Sequence, residues 1–155
     1  MNKYINGKKY DTDTADWLVG TKLCSVDFHD GLTRDEKAEH ICSLFEEKFN
    51  AYFKRERDAE QCVMRFLPIP KQTCDNRYSE CDTDLFRWQE CLYKTSEGDY
   101  FRALVFDAFY DGPYGRDHDI AEVALLPFDS PDDAYGWACD NLTADNVDIV
   151  FPERA

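Results

Sequence analysis

Basic residues are scarce in this sequence. Its 155 residues include 18 Lys and Arg against 32 Asp and Glu, which gives a formal net charge of -14. A field of that sign repels phosphate backbones and anionic lipid surfaces. The sequence therefore predicts no direct nucleic-acid partner and no membrane partner.

Long apolar runs and targeting signals are missing as well. The sequence has no stretch of about 18 or more apolar residues, so we expect no helix that spans a bilayer. Residues 1–10 are polar and rich in lysine, without the apolar centre of a secretory signal. We therefore expect a cytoplasmic protein.

Motifs that carry chemistry are also lacking. The chain has only seven glycines, and none of them forms a P-loop or a G-x-G-x-x-G fingerprint. Ser25, Asp27 and His29 lie close together in sequence, but no nucleophile elbow or cysteine-protease signature surrounds them. The sequence therefore predicts no enzyme activity and no cofactor.

The seven cysteines form no C-x-x-C pair. An odd number of cysteines without a secretory signal favours reduced thiols over disulfides. Cys74 and Cys81 could bind zinc with His29, His40 or Cys91, but their spacing fits no standard zinc finger. Buried cysteines more often serve as small apolar side chains, so we predict no metal site.

Turn and capping signals predict the ends of the chain. Asn6-Gly7 is typical of a two-residue hairpin turn within residues 3–10, and a short helix is predicted over residues 15–19. Ser130 predicts the cap of a C-terminal helix over residues 130–142, with proline as its first residue. The following tail is predicted to add a short strand or to pack as a terminal segment.

Between these ends, the spacing of the apolar residues changes once, from a helical period to the alternation typical of strands. Thr33 and Glu36 form a capping box that opens a long amphipathic helix over residues 33–57. From Phe86 the period is two, which predicts strands at residues 86–94, 100–110 and 120–128.

These elements together predict an α+β fold. We expect a small antiparallel sheet, made of the N-terminal hairpin and the three later strands, packed by the C-terminal helix. The long amphipathic helix belongs to an inserted helical segment, residues 21–85, within a single domain that spans residues 1–155.

The negative charge is concentrated at the end of the chain. Residues 103–155 hold 12 acidic and two basic residues, a net of -10. Closely spaced carboxylates can compete for a basic nucleic-acid channel, and nearby aromatic side chains can supply contact energy. The predicted partner-binding residues are Asp107, Asp111, Asp117, Asp119, Glu122, Asp129, Asp132, Asp133, Asp140, Tyr110 and Tyr114.

Part of this acidic set allows another interpretation. Asp111, Asp117 and Asp119 lie in the sequence DGPYGRDHD, and hard cations prefer such oxygen ligands. The spacing departs from that of an EF-hand, and no glutamate closes the loop. An exposed hairpin loop explains the same residues better, so we predict no metal here.

Three short patterns also occur in a recognisable order. They are NGKKYDTDTA at residues 6–15, ECLYKTSEGDYF at residues 90–101, and AYGW at residues 134–137 in a helix led by serine and proline. Together they resemble small proteins carried on bacterial mobile elements and prophages. The resemblance covers residues 2–20 and 86–151. It implies a bacterial host cytoplasm, where small acidic proteins often disarm host defence.

Charge and resemblance together predict a non-enzymatic inhibitor. Its partner would be a CRISPR effector or another defence nuclease, and its acidic surface would occupy a basic nucleic-acid-binding site in an anti-CRISPR-like manner. The alternative is a cytoplasmic adaptor that binds a cellular protein through aromatic residues. A metal-dependent enzyme that uses the Cys and His residues, or residues 111–119, is a third interpretation.

Overall fold

The computed structural model describes residues 1–28, 31–68, 82–112 and 114–154. The strands are β1 Asn2–Ile5, β2 Lys8–Asp11, β3 Asp16–Gly20, β4 Cys24–Asp27, β5 Leu85–Lys94, β6 Tyr100–Gly112 and β7 Gly115–Pro127. The helices are α1 Arg34–Asn50, α2 Glu56–Phe66, α3 Pro131–Asn141 and α4 Ala144–Val150, followed by a short 3-10 helix at Pro152–Arg154. This mixture confirms the predicted α+β class.

The N-terminal hairpin forms as predicted, but as a sheet of its own. Strands β1 and β2 pair antiparallel, with Ile5 opposite Lys8. Asn6 and Gly7 both have positive φ, 52° and 79°, as a type I′ turn requires. The prediction that this hairpin joins the later strands in one sheet is wrong, because neither β1 nor β2 pairs with a strand of the second sheet within the described residues.

The second sheet has five strands in the order β3-β5-β6-β7, with β4 also paired to β5. Strand β3 pairs antiparallel with the end of β5, and β4 pairs antiparallel with its beginning, where Cys24 lies opposite Trp88. A tight turn joins β5 to β6, in which the Thr95 N–H donates to the Asp99 carbonyl over 2.8 Å. A connection this short requires antiparallel strands.

The chain folds into two compact units. The first comprises Met1–Leu23, Gln89–Val105 and Glu122–Ala155. The second comprises Cys24–Trp88 and Phe106–Ala121. Strands β5, β6 and β7 therefore each contribute residues to both units.

Two layers cover the sheet residues of the first unit. Ala134 and Ala138 of α3 belong to one apolar cluster with Leu92 of β5, so the C-terminal helix packs on the sheet as predicted. On the opposite face, the ring of Tyr10 from β2 lies 5.5 Å from that of Phe101. Successive strand residues point to opposite faces, which is why one strand supplies both clusters.

In the second unit, helices α1 and α2 pack with β5 and β6 around one aromatic side chain. Phe106 of β6 is fully buried. Its ring centroid lies 5.6 Å from that of Phe49 in α1, 5.7 Å from Phe66 in α2 and 5.0 Å from Phe86 in β5. This cluster holds the two helices against the strands.

The helix predicted over residues 33–57 is two helices. It begins at the predicted capping box, where the Glu36 N–H donates to Thr33 Oγ1 over 3.1 Å. However, α1 ends at Asn50 and α2 starts at Glu56. The sequence between them contains no glycine or proline, so the apolar period alone could not locate the break.

Other local predictions also need correction. Residues 15–19 do not form a helix but largely lie in β3, whose pairing with β5 shifts register between Trp17 and Val19. Of the two alternatives for the tail over residues 146–151, the strand is wrong, because the tail lies largely in helix α4, capped by the Thr143 side chain; its packing as a terminal segment is confirmed by the buried Val147 and Phe151. Strand β4 and helix α2, both within the predicted insertion, were not predicted as separate elements.

Candidate functional site

The predicted loop at residues 111–119 is mostly strand. Strand β6 continues to Gly112 and β7 begins at Gly115, five residues before the start predicted at Ile120. We call residues 106–112 and 114–121 the acidic hairpin, and all of them belong to the second unit. The acidic hairpin carries six of the predicted partner-binding residues, Asp107, Tyr110, Asp111, Tyr114, Asp117 and Asp119.

One face of the acidic hairpin is built around the ring of Phe109. Phe106 points into the core, so Phe109 lies on the opposite face of β6. His118 of β7 stacks on this ring with 5.1 Å between centroids. The guanidinium groups of Arg87 and Arg116 lie 4.9 and 5.8 Å from the ring centroid, at distances where a cation is attracted to an aromatic face.

Carboxylates contact two of the basic side chains on this face. His118 Nδ1 lies 2.7 Å from Asp107 Oδ1. Arg116 forms ion pairs with Asp84, the residue before β5, and with Asp111 at 3.4 Å. The hydrogen bond to Asp84 raises the pKa of the Arg116 guanidinium above its ordinary value. Arg116 is therefore committed to internal ion pairs, and the His118 ring to its contact with Asp107.

Asp117 and Asp119 lie on the other face of β7 and are exposed. Asp119 accepts a hydrogen bond from the Tyr110 hydroxyl over 3.3 Å, and Asp117 accepts one from the main-chain N–H of His118 over 2.8 Å. Within the residues that the structure describes, neither carboxylate has an ion pair. In the part of the chain that the structure describes, these two charges therefore face solvent without an ion-pair partner.

Apolar surface accompanies these carboxylates. The side chain of Tyr114, the residue before β7, is fully exposed, and that of Ile120 is 61% exposed. A partner that contacts the acidic hairpin would meet exposed apolar groups as well as charge. Aromatic side chains in such positions commonly supply much of the energy of an interface.

Four predicted residues lie in or beside α3, in the first unit: Asp129, Asp132, Asp133 and Asp140. Asp132 pairs with Arg154, whose guanidinium lies 4.6 Å from the Tyr135 ring centroid. The Asp133 N–H donates to the Ser130 hydroxyl over 3.2 Å. Carboxylates in the first turn also stabilise a helix through its dipole, so Asp132 and Asp133 have a structural role of their own.

Glu122, also in the first unit, faces internal partners. Its carboxylate accepts a hydrogen bond from the Thr12 hydroxyl over 3.0 Å and one from the Tyr93 hydroxyl over 3.5 Å. The side chain is 29% exposed. These bonds link β7 to β5 and to the residue that follows β2.

The Tyr93 hydroxyl allows a test of this network by pH. Its burial, reinforced by the nearby Glu122 carboxylate, raises the pKa of Tyr93 to about 12 from the ordinary 10.0. In this interval the unfolded chain loses the phenolic proton and the folded chain keeps it, so stability falls as pH rises from 10 to 12. We expect Tyr93→Phe to reduce that fall in urea unfolding midpoints, whereas Tyr4→Phe, at an exposed tyrosine, leaves it unchanged. Equal pH dependence in parent and Tyr93→Phe would contradict this assignment.

Sequence reasoning missed the contribution of β5 to the acidic hairpin. Asp84 and Arg87 were not among the predicted residues, yet they supply an ion pair and a cation–aromatic contact there. The available signal was the alternation along β5, where Arg87 lies between the buried Phe86 and Trp88. That alternation places Arg87 on the outer face of the strand.

The described residues bear on the carboxylate metal site considered at residues 111–119, but not on the zinc site considered at Cys74 and Cys81. Asp111 pairs with Arg116, and no group of three or more His, Cys, Asp or Glu side chains in the described ranges is arranged to hold a metal ion. Cys74, Cys81 and His29, which were considered for zinc, lie outside the described residues. Burial raises the pKa of Cys42 to about 12, so this thiol stays protonated near neutral pH.

Comparisons with protein-family models, with curated proteins and with solved structures found no match to this chain. None of the helices in the described part of the chain combines the length and the apolar composition needed to cross a bilayer. The proposed function therefore rests on the charge and geometry of two acidic groups, the acidic hairpin and the carboxylates in and beside α3.

Proposed function

We propose that this chain is a non-enzymatic inhibitor that binds a basic, nucleic-acid-binding surface of a bacterial defence nuclease. The observation that supports the proposal most directly is the acidic hairpin. It presents exposed carboxylates at Asp117 and Asp119, while Arg116 pairs with Asp84 and Asp111 and the His118 ring contacts Asp107. An uncompensated negative surface is what a basic nucleic-acid channel attracts.

The whole-chain charge supports the same partner. A net charge of -14, with -10 in residues 103–155, gives the chain the sign of a nucleic acid. Complementary fields speed the encounter of two proteins and reject partners of like charge. The resemblance to proteins of mobile elements favours a CRISPR effector or another defence nuclease as the basic partner, in the cytoplasm of a bacterial host.

The proposal assigns the acidic residues a contact role and no chemistry. In this mechanism the carboxylates take positions that phosphates of the guide or target would occupy, and inhibition follows from exclusion. Tyr114 and Ile120 add apolar contact beside the charge. Nucleic acid and inhibitor then compete for one surface, so each should displace the other.

Capture from lysates tests the partner. The tagged chain is incubated with lysates that each express one CRISPR effector or restriction complex, at low salt and at moderate salt, and bound proteins are identified by mass spectrometry. We expect one effector to be retained and to be released by its own guide RNA or target DNA. Capture that nucleic acid does not reverse would contradict occupancy of the nucleic-acid site.

Charge reversal tests the mechanism. The variant with Asp117, Asp119, Asp132 and Asp133 all changed to lysine should bind its effector about 100-fold more weakly, at about 0.5–1 kcal/mol for each reversed charge. Inhibition of cleavage should fall in parallel. Circular dichroism and a urea unfolding curve establish that the variant remains folded. Undiminished binding and inhibition by the folded variant would rule out mimicry.

A matched control separates local charge from net charge. Lysine at Asp13, Asp35, Glu39 and Glu97, all exposed, changes the net charge by the same amount outside both predicted groups. We expect this control to retain most of its binding. Paired variants, Asp117 with Asp119 and Asp132 with Asp133, then show which of the two groups contacts the partner.

A second function is supported by a different observation. The fully exposed Tyr114 and the exposed Ile120 would also suit an adaptor that binds a cellular protein through apolar contacts. Salt distinguishes the two functions, because exposed charge pairs weaken as the ionic strength rises beyond about 0.15 M. A host protein retained at high salt and released by Tyr114→Ala would favour the adaptor.

A further inference from the structure

Strand β7 ends the five-stranded sheet with a long open edge. It runs for 13 residues, and among the described residues it pairs with β6 alone. Its first seven residues, in the acidic hairpin, are all exposed. An edge strand presents a row of main-chain donors and acceptors that another extended segment can pair with.

One hydrogen bond shows which main-chain groups face this edge. The N–H of His118 donates to the carboxylate of Asp117 over 2.8 Å and thus points away from β6. The N–H and C=O groups of alternate residues in a strand point to the same side. The main-chain groups of Arg116, His118 and Ile120 therefore form the open edge of the acidic hairpin.

The contact between Asp117 and His118 also explains how this edge stays unpaired. A carboxylate that covers an edge N–H removes a donor that an unrelated strand would need, and like charges repel a second acidic strand. A strand that carries lysine or arginine next to Asp117 would attract the carboxylate and expose the His118 N–H. The edge is thus selective for the charge of the incoming segment.

A second copy of this chain fits the edge poorly. Antiparallel pairing of β7 with itself around this stretch would bring Asp117 and Asp119 of the two copies together, in molecules that each carry a net charge of -14. Asp117 and Asp119 lie two residues apart on the same face of the strand. Their complement is a strand with basic side chains at every second position.

We propose that β7 adds an extended basic segment of the partner protein as a further strand, at Arg116, His118 and Ile120. This inference rests on the proposed function and specifies its binding mode. The main chain of the partner would supply the hydrogen bonds, and its alternate Lys or Arg side chains would pair with Asp117 and Asp119. The exposed Ile120 side chain would pack beside the added strand.

Two short peptides of equal composition test the pattern. In TKVKVKT the lysines occupy every second position, and in TKKVVKT no two lysines lie two residues apart. Binding of each peptide to the full chain is measured by calorimetry, and amide signals are followed by NMR. We expect TKVKVKT to bind about tenfold more tightly, because only its lysines lie two residues apart on one face of a strand, as Asp117 and Asp119 do. We also expect it to slow amide exchange at His118 and Ile120. Equal binding of both peptides would overturn strand addition.

A proline at the edge tests the main chain directly. Ile120→Pro removes one outward N–H, at a position where proline is compatible with an edge strand, and Ile120→Ala keeps that N–H while removing the side chain. We expect Ile120→Pro to bind TKVKVKT about tenfold more weakly than Ile120→Ala does, because one main-chain hydrogen bond to the peptide is lost. Equal affinities of the folded variants would overturn the proposal. If Ile120→Pro does not fold, unchanged amide exchange at His118 and Ile120 in the parent would overturn it instead.

The proposed function and this inference fail in different ways. Loss of effector binding on charge reversal, combined with equal binding by Ile120→Pro and Ile120→Ala, would support the acidic surface and overturn strand addition. Effector binding that is weakened both by charge reversal and by Ile120→Pro relative to Ile120→Ala, but that guide RNA and target DNA do not displace, would overturn mimicry and support pairing of a basic segment at the edge of β7.

Discussion

Replacement of Phe106 by alanine is expected to lower the free energy of unfolding by about 3–5 kcal/mol. The side chain is fully buried, and its ring lies between those of Phe49, Phe66 and Phe86. Removing it leaves a cavity where two helices and two strands meet, and the surrounding rings can collapse into that space only in part. Urea unfolding followed by circular dichroism measures the loss.

The control for this variant lies three residues further along the same strand. Phe109→Ala removes the same number of atoms from a half-buried ring on the opposite face. It should cost about 1–2 kcal/mol, because less area returns to water. A loss for Phe106→Ala that does not exceed that of Phe109→Ala would show that this aromatic cluster does not hold the second unit together.

Arg102→Met is the second large effect, with an expected loss of about 3–5 kcal/mol. Arg102 pairs with Glu90 at 3.4 Å, and the Glu90 side chain is only 6% exposed. The guanidinium also lies 5.3 Å from the Phe128 ring centroid and 5.7 Å from that of Trp137. Methionine fills similar space but leaves the Glu90 carboxylate without this neighbouring charge in a low-dielectric site. Urea unfolding again measures the difference.

A double variant separates the charge from the packing. Glu90→Leu combined with Arg102→Met removes both members of the pair, so no carboxylate remains buried beside an apolar side chain. Such replacements of buried ion pairs are often neutral or stabilising, and we expect the double variant to recover most of the lost stability. If the double variant is as unstable as Arg102→Met alone, the loss comes from packing on Phe128 and Trp137.

The elements that sequence patterns predicted correctly are those whose signals are local. The Asn6-Gly7 turn, the capping box of Thr33 and Glu36, and the Ser130 cap each depend on residues within one turn of the backbone. Such signals act in the same way wherever the segment finally packs. This is why they predicted element positions without knowledge of the tertiary fold.

The elements that were missed depend on partners distant in sequence. Strand β3 forms because residues 16–20 pair with the end of β5, more than 70 residues later. Strand β4 has four residues and pairs with the beginning of the same strand. Neither segment has a strong period of its own, so pairing with β5 decided the structure of each.

Much the same holds for the candidate site. The acidic residues could be found by counting charges, but their division between two units could not. Nor could their different environments, such as Glu122 inside a hydrogen-bond network and Asp117 facing solvent. The positions of Arg87 and Asp84 beside Phe109 and Arg116 depend on strand order, which charge patterning does not predict.

The sharing of β5, β6 and β7 between the two units has a consequence for synthesis on the ribosome. The first unit needs residues from both ends of the chain, and the second needs strand segments up to Ala121. Neither unit is a continuous stretch, so the second cannot finish folding before residues 106–121 have been made, and the first cannot before residues 122–155 have followed. Helices α1 and α2 are made before the strand residues of β5 and β6 that cover their apolar faces. Between the synthesis of the helices and that of these strands, the nascent chain exposes apolar surface to proteases and chaperones.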